Sequence, residues 1–295
     1  MINDPNYKMQ KRIYEKYSKK GEGYESFSEI FNLTNSNHLR MIKKLGMKKG
    51  DKVLDVGCAS GNLMRILSKK YGIRGYGIDI TPTSIIRAKK LLKNCDFCVS
   101  RAEKLKFKDN YFDFVVSFGC LEHVSDFNKS ISEIKRVLKR GGKALIWMPN
   151  KDNRYSLHWL DGKINPKKQR EDMERAGHDY NRIPSSDTIL GTVIKNRMRI
   201  CEYKFYDSFL QPFYDYKIMP FNSRLLRWLA KCVYGKDKIK DEVHLKHVKE
   251  VSEKRAKIYK IYKMILPFVR FVCIPDKIFS KLRVGASIYV IMEKE

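Results

Sequence analysis

The sequence predicts an α/β protein with a mostly parallel sheet and helices on both faces. Three observations predict it. Short apolar runs alternate with amphipathic stretches of about ten to fifteen residues between positions 52 and 148. One such run, Val53-Leu54-Asp55-Val56, passes into a loop of small residues, Gly57-Cys58-Ala59-Ser60-Gly61, and then into a helical pattern. The next run ends on an acid, Asp79, about twenty residues beyond that loop.

The elements follow in order. Residues 1–35 are polar, with a short helix expected at Lys11–Tyr17. A helix is expected over Ser36–Leu45, where Leu39, Ile42 and Leu45 share a face. Lys48–Asp51 is a turn. Strands are expected at Lys52–Val56, Gly75–Ile80, Asp96–Ser100, Phe112–Phe118 and Lys143–Met148, and helices at Asn62–Tyr71, Pro82–Leu92 and Phe127–Leu138, the last ended by Gly141-Gly142. Residues 151–183 read mostly as a loop. Ser185 caps a helix reaching Lys195, and strands are expected at Met198–Tyr206 and Ala286–Met292. Residues 208–283 read as helical and aromatic. The expected organisation is a cap at 1–50, a core at 51–207, a helical insertion at 208–285 and a last core strand at 286–295.

Composition bounds the function. Forty-three per cent hydrophobic residues suffice for a full core. Seven cysteines form no framework, and Met1–Lys20 is polar and basic rather than a secretory leader, so a reduced, cytoplasmic protein is expected. Cys95 and Cys98 form a lone CxxC; without a second ligand pair it reads as two small residues on a buried strand, and no metal is expected. The net charge of +28 favours polyanions such as nucleic acid, anionic lipid or phosphorylated carriers, although a lysine-rich composition alone also produces it. No apolar run reaches the ~18 residues of a membrane span, so membrane contact would be peripheral.

The glycine loop carries the chemistry. Small residues let a ligand approach the backbone, and the following helix offers free N–H groups. A dinucleotide fingerprint would need glycine at 57, 59 and 62, but positions 59 and 62 are Ala59 and Asn62. Asp55 at the strand end suits a cationic amine, hence a methionine-like zwitterion rather than a pyrophosphate. Asp79 can accept from both hydroxyls of a ribose, though a lone aspartate there is often a turn residue.

In this order the motifs resemble the class I S-adenosylmethionine-dependent methyltransferase superfamily, in the branch that includes ubiquinone and menaquinone methyltransferases. The resemblance spans Lys52–Tyr206, with Ala286–Met292 as the last strand. It continues through Ser100-Arg101-Ala102-Glu103, Phe112–Val116, Leu121-Glu122-His123-Val124, Leu138–Gly142, Met148-Pro149-Asn150 and Gly177-His178 with Pro184-Ser185. It implies a Rossmann-like sandwich with a mostly parallel seven-stranded sheet and a helical insertion before the last strand. It also implies S-adenosyl-L-methionine as cofactor, held by Asp55, Gly57, Cys58, Ala59, Gly61, Asp79, Ile80, Ala102, Glu103 and Gly119. Two positions depart from the family. Ala59 stands where glycine is usual. Arg101 stands where an aspartate usually accepts from adenine; arginine cannot accept, so adenine would rest on backbone near Ala102, or on Glu103.

Methyl transfer needs mainly in-line positioning, and an oxygen or nitrogen acceptor can also need a base. His123, just past the fourth strand, is the first candidate and His178 the second; the plainer role for His123 is to hold a loop. For the acceptor, residues 208–283 hold 18 Lys and Arg against 7 Asp and Glu. Within them Ile258, Ile261, Tyr262, Ile265, Val269 and Val272 form an apolar stripe flanked by lysines, as on an interfacial helix, although Pro267 interrupts it and a core-packing stripe would look the same. A small-molecule or lipid-linked acceptor, at or near an anionic membrane surface, fits best. RNA is the weaker reading, because no RNA-binding module is recognisable. A non-catalytic cofactor-fold protein would fit if Arg101 marked a lost site.

Overall fold

A computed structural model describes residues 4–20, 33–152, 156–167, 171, 183–206 and 285–295 of the chain. The apolar runs form strands β1 (Lys52–Val56), β2 (Arg74–Asp79), β3 (Asp96–Val99), β4 (Phe112–Phe118), β5 (Leu138–Pro149), β6 (Met198–Tyr206) and β7 (Ser287–Lys294). They join in one seven-stranded sheet of order β3-β2-β1-β4-β5-β7-β6. The first five pair in parallel, and β7 lies antiparallel between β5 and β6. The strand order reverses between β1 and β4, and such a reversal opens a crevice at the carboxyl ends of the strands.

Helices cover both faces. Helices α5 (Phe127–Val137) and α7 (Ser186–Lys195) bury Ile131, Ile134, Ile189 and Val193 in a core that includes Leu54, Val56 and Val115. Helices α2 (Leu33–Lys43), α3 (Asn62–Tyr71) and α4 (Pro82–Leu91) bury Met41, Ile42, Met64, Leu67 and Ile85 in the opposite core, with Val53, Val116 and Tyr289. Strands buried on both faces explain the nearly continuous apolar runs.

Three elements differ from expectation. Helix α1 runs over Pro5–Lys20, far beyond the short helix expected at Lys11–Tyr17. Its start is a conventional one: the Asp4 carboxylate accepts from the Tyr7 N–H at 3.4 Å, and Pro5 opens the helix. Helix α6 (Leu157–Ile164) lies where a loop was expected, capped by the Ser156 hydroxyl, which accepts from the Trp159 N–H at 3.1 Å. Strand β5 begins at Leu138, and Gly141-Gly142 lie within it. Leu138 turns extended at ψ 141°, which ends α5 one residue early, and Gly141 adopts φ +72° where the β4–β5 register shifts. The insertion expected at 208–285 lies outside the described residues up to 284. No described helix is long and apolar enough to cross a membrane.

His38 anchors α2 to the sheet. Its fully buried ring lies among Phe118, Trp147 and Tyr289, with centroids 4.5, 4.9 and 5.6 Å away. Burial pushes its pKa down to about 3. The folded protein therefore keeps this ring neutral while the unfolded chain protonates it below about 6.5. The stability this provides is present above that pH and is lost as pH falls toward 3. We predict that thermal midpoints of the wild type fall more steeply between pH 7 and 4.5 than those of His38→Phe. Parallel curves would show that His38 is not titrating in this way.

Candidate functional site

The site grows from the end of β1. The Gly57 and Cys58 N–H groups both donate to the Ile78 carbonyl at 2.9 Å, which fastens the glycine loop to β2. Gly57 has φ +85°, and a Cβ there would come within 2.5 Å of the Cys120 Cβ, so only glycine fits. Ala59 takes φ +45°, a left-handed conformation disfavoured for any residue with a Cβ. Gly61 precedes α3 with its α-carbon packed toward Phe97 and Ala88.

Asp79 closes β2 and ties these pieces together. Its carboxylate accepts from the Ala59 N–H at 3.1 Å, the Thr81 N–H at 2.8 Å and the Thr81 hydroxyl at 2.6 Å. Burial raises its pKa, against the pull of these donors. A ribose diol would share this carboxylate with Ala59 and Thr81 rather than hold it alone.

A cleft opens at the strand-order reversal. Gly57, Ala59, Asp79, Ile80, Ala102, Glu103, Gly119 and His123 line it together, as their order along the sequence predicts. Asp55, Cys58 and Gly61 do not reach its wall. Strand alternation turns Asp55 to the Val53 side of the sheet, where burial, and then the nearby Asp79, lift its pKa to about 8. The Asp55 carboxyl lies close enough to Asp79, behind the lining residues, to feel its charge. The Cys58 thiol is turned into the packed core and contacts the Ala59 carbonyl at 3.6 Å. His178 lies outside the described residues. Among those residues, no group of three His, Cys, Asp or Glu is placed to hold a metal ion.

His123 ends a short 3-10 turn, Leu121–His123, just after β4. Its Nε2 lies 2.7 Å from the Tyr14 hydroxyl and 3.7 Å from Glu122 Oε1. Glu122 is buried, and burial pushes its pKa up to about 8. Cys120 also lines the cleft; burial and the surrounding carboxylates, Asp79 first, raise its pKa well above the ordinary thiol value, so it stays a protonated, inert thiol.

The remaining wall comes from α1, which the sequence reading missed. Tyr7, Gln10 and Tyr14 face the cleft, and the Thr83 hydroxyl donates to Glu15 of the same helix. The signal was present: positions 7, 10 and 14 repeat at helical spacing behind an Asp-Pro start. Arg101 also lines the cleft, bound to carboxylates rather than replacing one.

Residues 54–146 match the family model described as a methyltransferase domain. Over 120 residues the chain is 34% identical to phosphoethanolamine N-methyltransferase 2 of Caenorhabditis elegans, covering 39% of this chain and 28% of that protein. Over 148 residues it is 33% identical to demethylmenaquinone methyltransferase of Staphylococcus aureus, covering 48% and 60%. The chain thus spans less than two thirds of the length of these curated relatives. Among solved structures, phosphoethanolamine N-methyltransferase 2 of Haemonchus contortus, in complex with phosphomonomethylethanolamine and S-adenosylhomocysteine, superposes with a TM-score of 0.56 at 18% identity, covering 88% of this chain and 52% of that one. At that identity the likeness shows a shared fold.

The glycine loop predicts opposite effects at neighbouring positions. Ala59→Gly should raise stability by about 0.5–1 kcal/mol, because it removes left-handed strain at a modest entropic cost. Gly57→Ala should lower it by about 1–3 kcal/mol, because the new methyl overlaps Cys120. Chemical denaturation of both variants checks this; equal shifts in one direction would contradict the loop geometry.

Proposed function

We propose that residues 54–146, which match a methyltransferase domain, form a class I S-adenosylmethionine-dependent methyltransferase core, and that the chain transfers a methyl group to a small-molecule or lipid-type acceptor. The observation that carries this is the cleft itself: a loop whose Gly57 position only a residue without Cβ can fill, and a half-buried carboxylate at the end of β2, meet at the reversal of strand order.

The residues fit S-adenosylmethionine. Gly57 leaves the backbone open to close approach, Asp79 offers an acceptor for a ribose diol, and Ile80, Ala102 and Glu103 complete the wall where a base would lie. When bound, the cofactor supplies an activated methyl group on a sulfonium. The chain's own residues supply enclosure and proton handling. Helix α1 contributes Tyr7, Gln10 and Tyr14 to the wall of the cleft. Tyr14 and His123 make a hydrogen-bonded pair on the cleft wall, so an acceptor N–H or O–H proton can pass to the Tyr14 oxygen as the phenolic proton passes to Nε2. Glu122, held largely neutral by burial, places its Oε1 3.7 Å from Nε2, beside the imidazolium that this would create.

A cleft covered by a helix suits an acceptor small enough to be enclosed, which favours a metabolite or the head of a lipid over RNA. The apolar stripe at residues 258–272, outside the described residues, with its flanking lysines supports contact with an anionic membrane surface. Co-sedimentation with anionic vesicles at low salt tests that part. Binding by the wild type, lost when Ile261 and Ile265 become serine, supports it, and no binding by the wild type removes it.

Calorimetry with S-adenosylmethionine tests the main reading. Asp79→Ala should weaken binding roughly ten- to a hundredfold, the ~1.5–3 kcal/mol of a charged hydrogen-bond acceptor. Tyr14→Phe and His123→Gln should leave that affinity within about threefold while lowering turnover of an N- or O-acceptor roughly a hundredfold. Wild-type protein that does not bind the cofactor would refute the function, and unchanged affinity in Asp79→Ala would refute the role of Asp79.

A further inference from the structure

Arg101 follows β3 in a tight turn closed by the Lys104 N–H donating to its carbonyl at 3.2 Å. Its guanidinium gathers partners from three parts of the chain. Nη2 lies 3.2 Å from Asp4 Oδ2 at the start of α1, 3.0 Å from Glu103 Oε1 and 3.3 Å from the Ser125 hydroxyl. Nε donates to Glu103 Oε2 at 3.4 Å, and the guanidinium carbon sits 4.4 Å over the Tyr7 ring. Ser125 closes the network: its hydroxyl donates to Asp4 and its N–H donates to Glu103 at 2.9 Å.

Arginine suits this place for physical reasons. Its planar fork serves several oxygens at once while its face stacks on an aromatic ring, which a lysine ammonium cannot do. The partners are partly buried, with side-chain exposures of 23% for Arg101 and Asp4 and 12% for Glu103. Such a network is less screened than a surface pair yet remains open to salt. The other end of α1 is held differently, by the Tyr14–His123 hydrogen bond and the contact of Glu15 with Thr83. Tyr7, Gln10 and Tyr14 cover the cleft between these two anchorages, so a ligand leaving by that side must displace the helix.

We propose that Arg101 is a positioning residue that latches α1 over the cleft through Asp4 and Tyr7, and so sets the rate at which the cofactor enters and leaves. The rate part rests on the cofactor reading above; the latch itself does not. On this account the departure from the family's acidic residue replaces a direct contact to adenine with a charged clasp on the helix that covers it.

Hydrogen exchange on the ligand-free full chain tests the latch. Arg101→Ala and Asp4→Asn should each speed exchange of the α1 amides about tenfold, and the double variant should add little to either. Arg101→Lys should lie between. Amides of α3 and β4 serve as the control: acceleration there as well, or none in α1, overturns the latch. Stopped-flow displacement of S-adenosylhomocysteine tests the coupling. Dissociation should be about tenfold faster in Arg101→Ala, and raising salt from 0.05 to 1 M should speed dissociation from the wild type but not from the variant. Unchanged dissociation with faster α1 exchange overturns the coupling. A wild type that binds no S-adenosylhomocysteine overturns the cofactor reading, and the coupling with it, while the exchange data still decide the latch.

Discussion

The half-buried carboxylate of Asp79 is the constraint from which the site is built. By accepting from the Ala59 N–H it holds the glycine loop against the end of β2, and by accepting from Thr81 it fixes the start of α4. Burial costs this group its hydration, and those donors restore part of it. The loop conformation, including a non-glycine residue at φ +45°, persists because the structure around it over-determines it. The parallel sheet supplies the platform: β1 and β4 lie side by side where the strand order reverses, and the loop and Asp79 stand at their ends.

Charge is distributed against the average. The chain carries +28 overall, yet carboxyl groups cluster in and beneath the cleft: Asp79, Glu103, Asp55 and Glu122. Burial, and for Asp55 its neighbour Asp79, hold Asp55 and Glu122 near a pKa of about 8, so both are largely protonated at neutral pH. For groups raised in this way, stability is fully present below their unfolded pKa of about 4 and is lost as pH rises through 8. A cation arriving in the cleft would favour their ionised forms, which couples ligand charge to the protonation of the floor. His38 works in the opposite sense, losing stability toward acid. Together they narrow the pH range of greatest stability from both sides.

Much of the core was legible because its signals are local. Strands β1, β4 and β6 and helix α3 fall at the expected residues, each bounded by glycine, turn or polar signals that act within a few positions. The shared cleft of Gly57, Ala59, Asp79, Ile80, Ala102, Glu103 and Gly119 was legible too, since the resemblance fixes their order and the sheet topology brings strand ends together. What escaped depends on distance or on direction. The reach of α1 rests partly on contacts such as Tyr14 with His123, 109 positions apart, and Arg101 with Asp4, 97 apart, which no local pattern encodes. Gly141-Gly142 resembled a helix stop and instead bend a strand, since only the pairing with β4 distinguishes the two.

The proposed function requires S-adenosylmethionine in this cleft with its ribose on Asp79. A crystal structure of the full chain with S-adenosylhomocysteine measures it directly. The ribose hydroxyls are expected within about 3 Å of the Asp79 carboxylate, the amino-acid end against Gly57, and α1 closed above with Tyr14 on His123. Density for the ligand elsewhere, or a ribose turned away from Asp79, would contradict it.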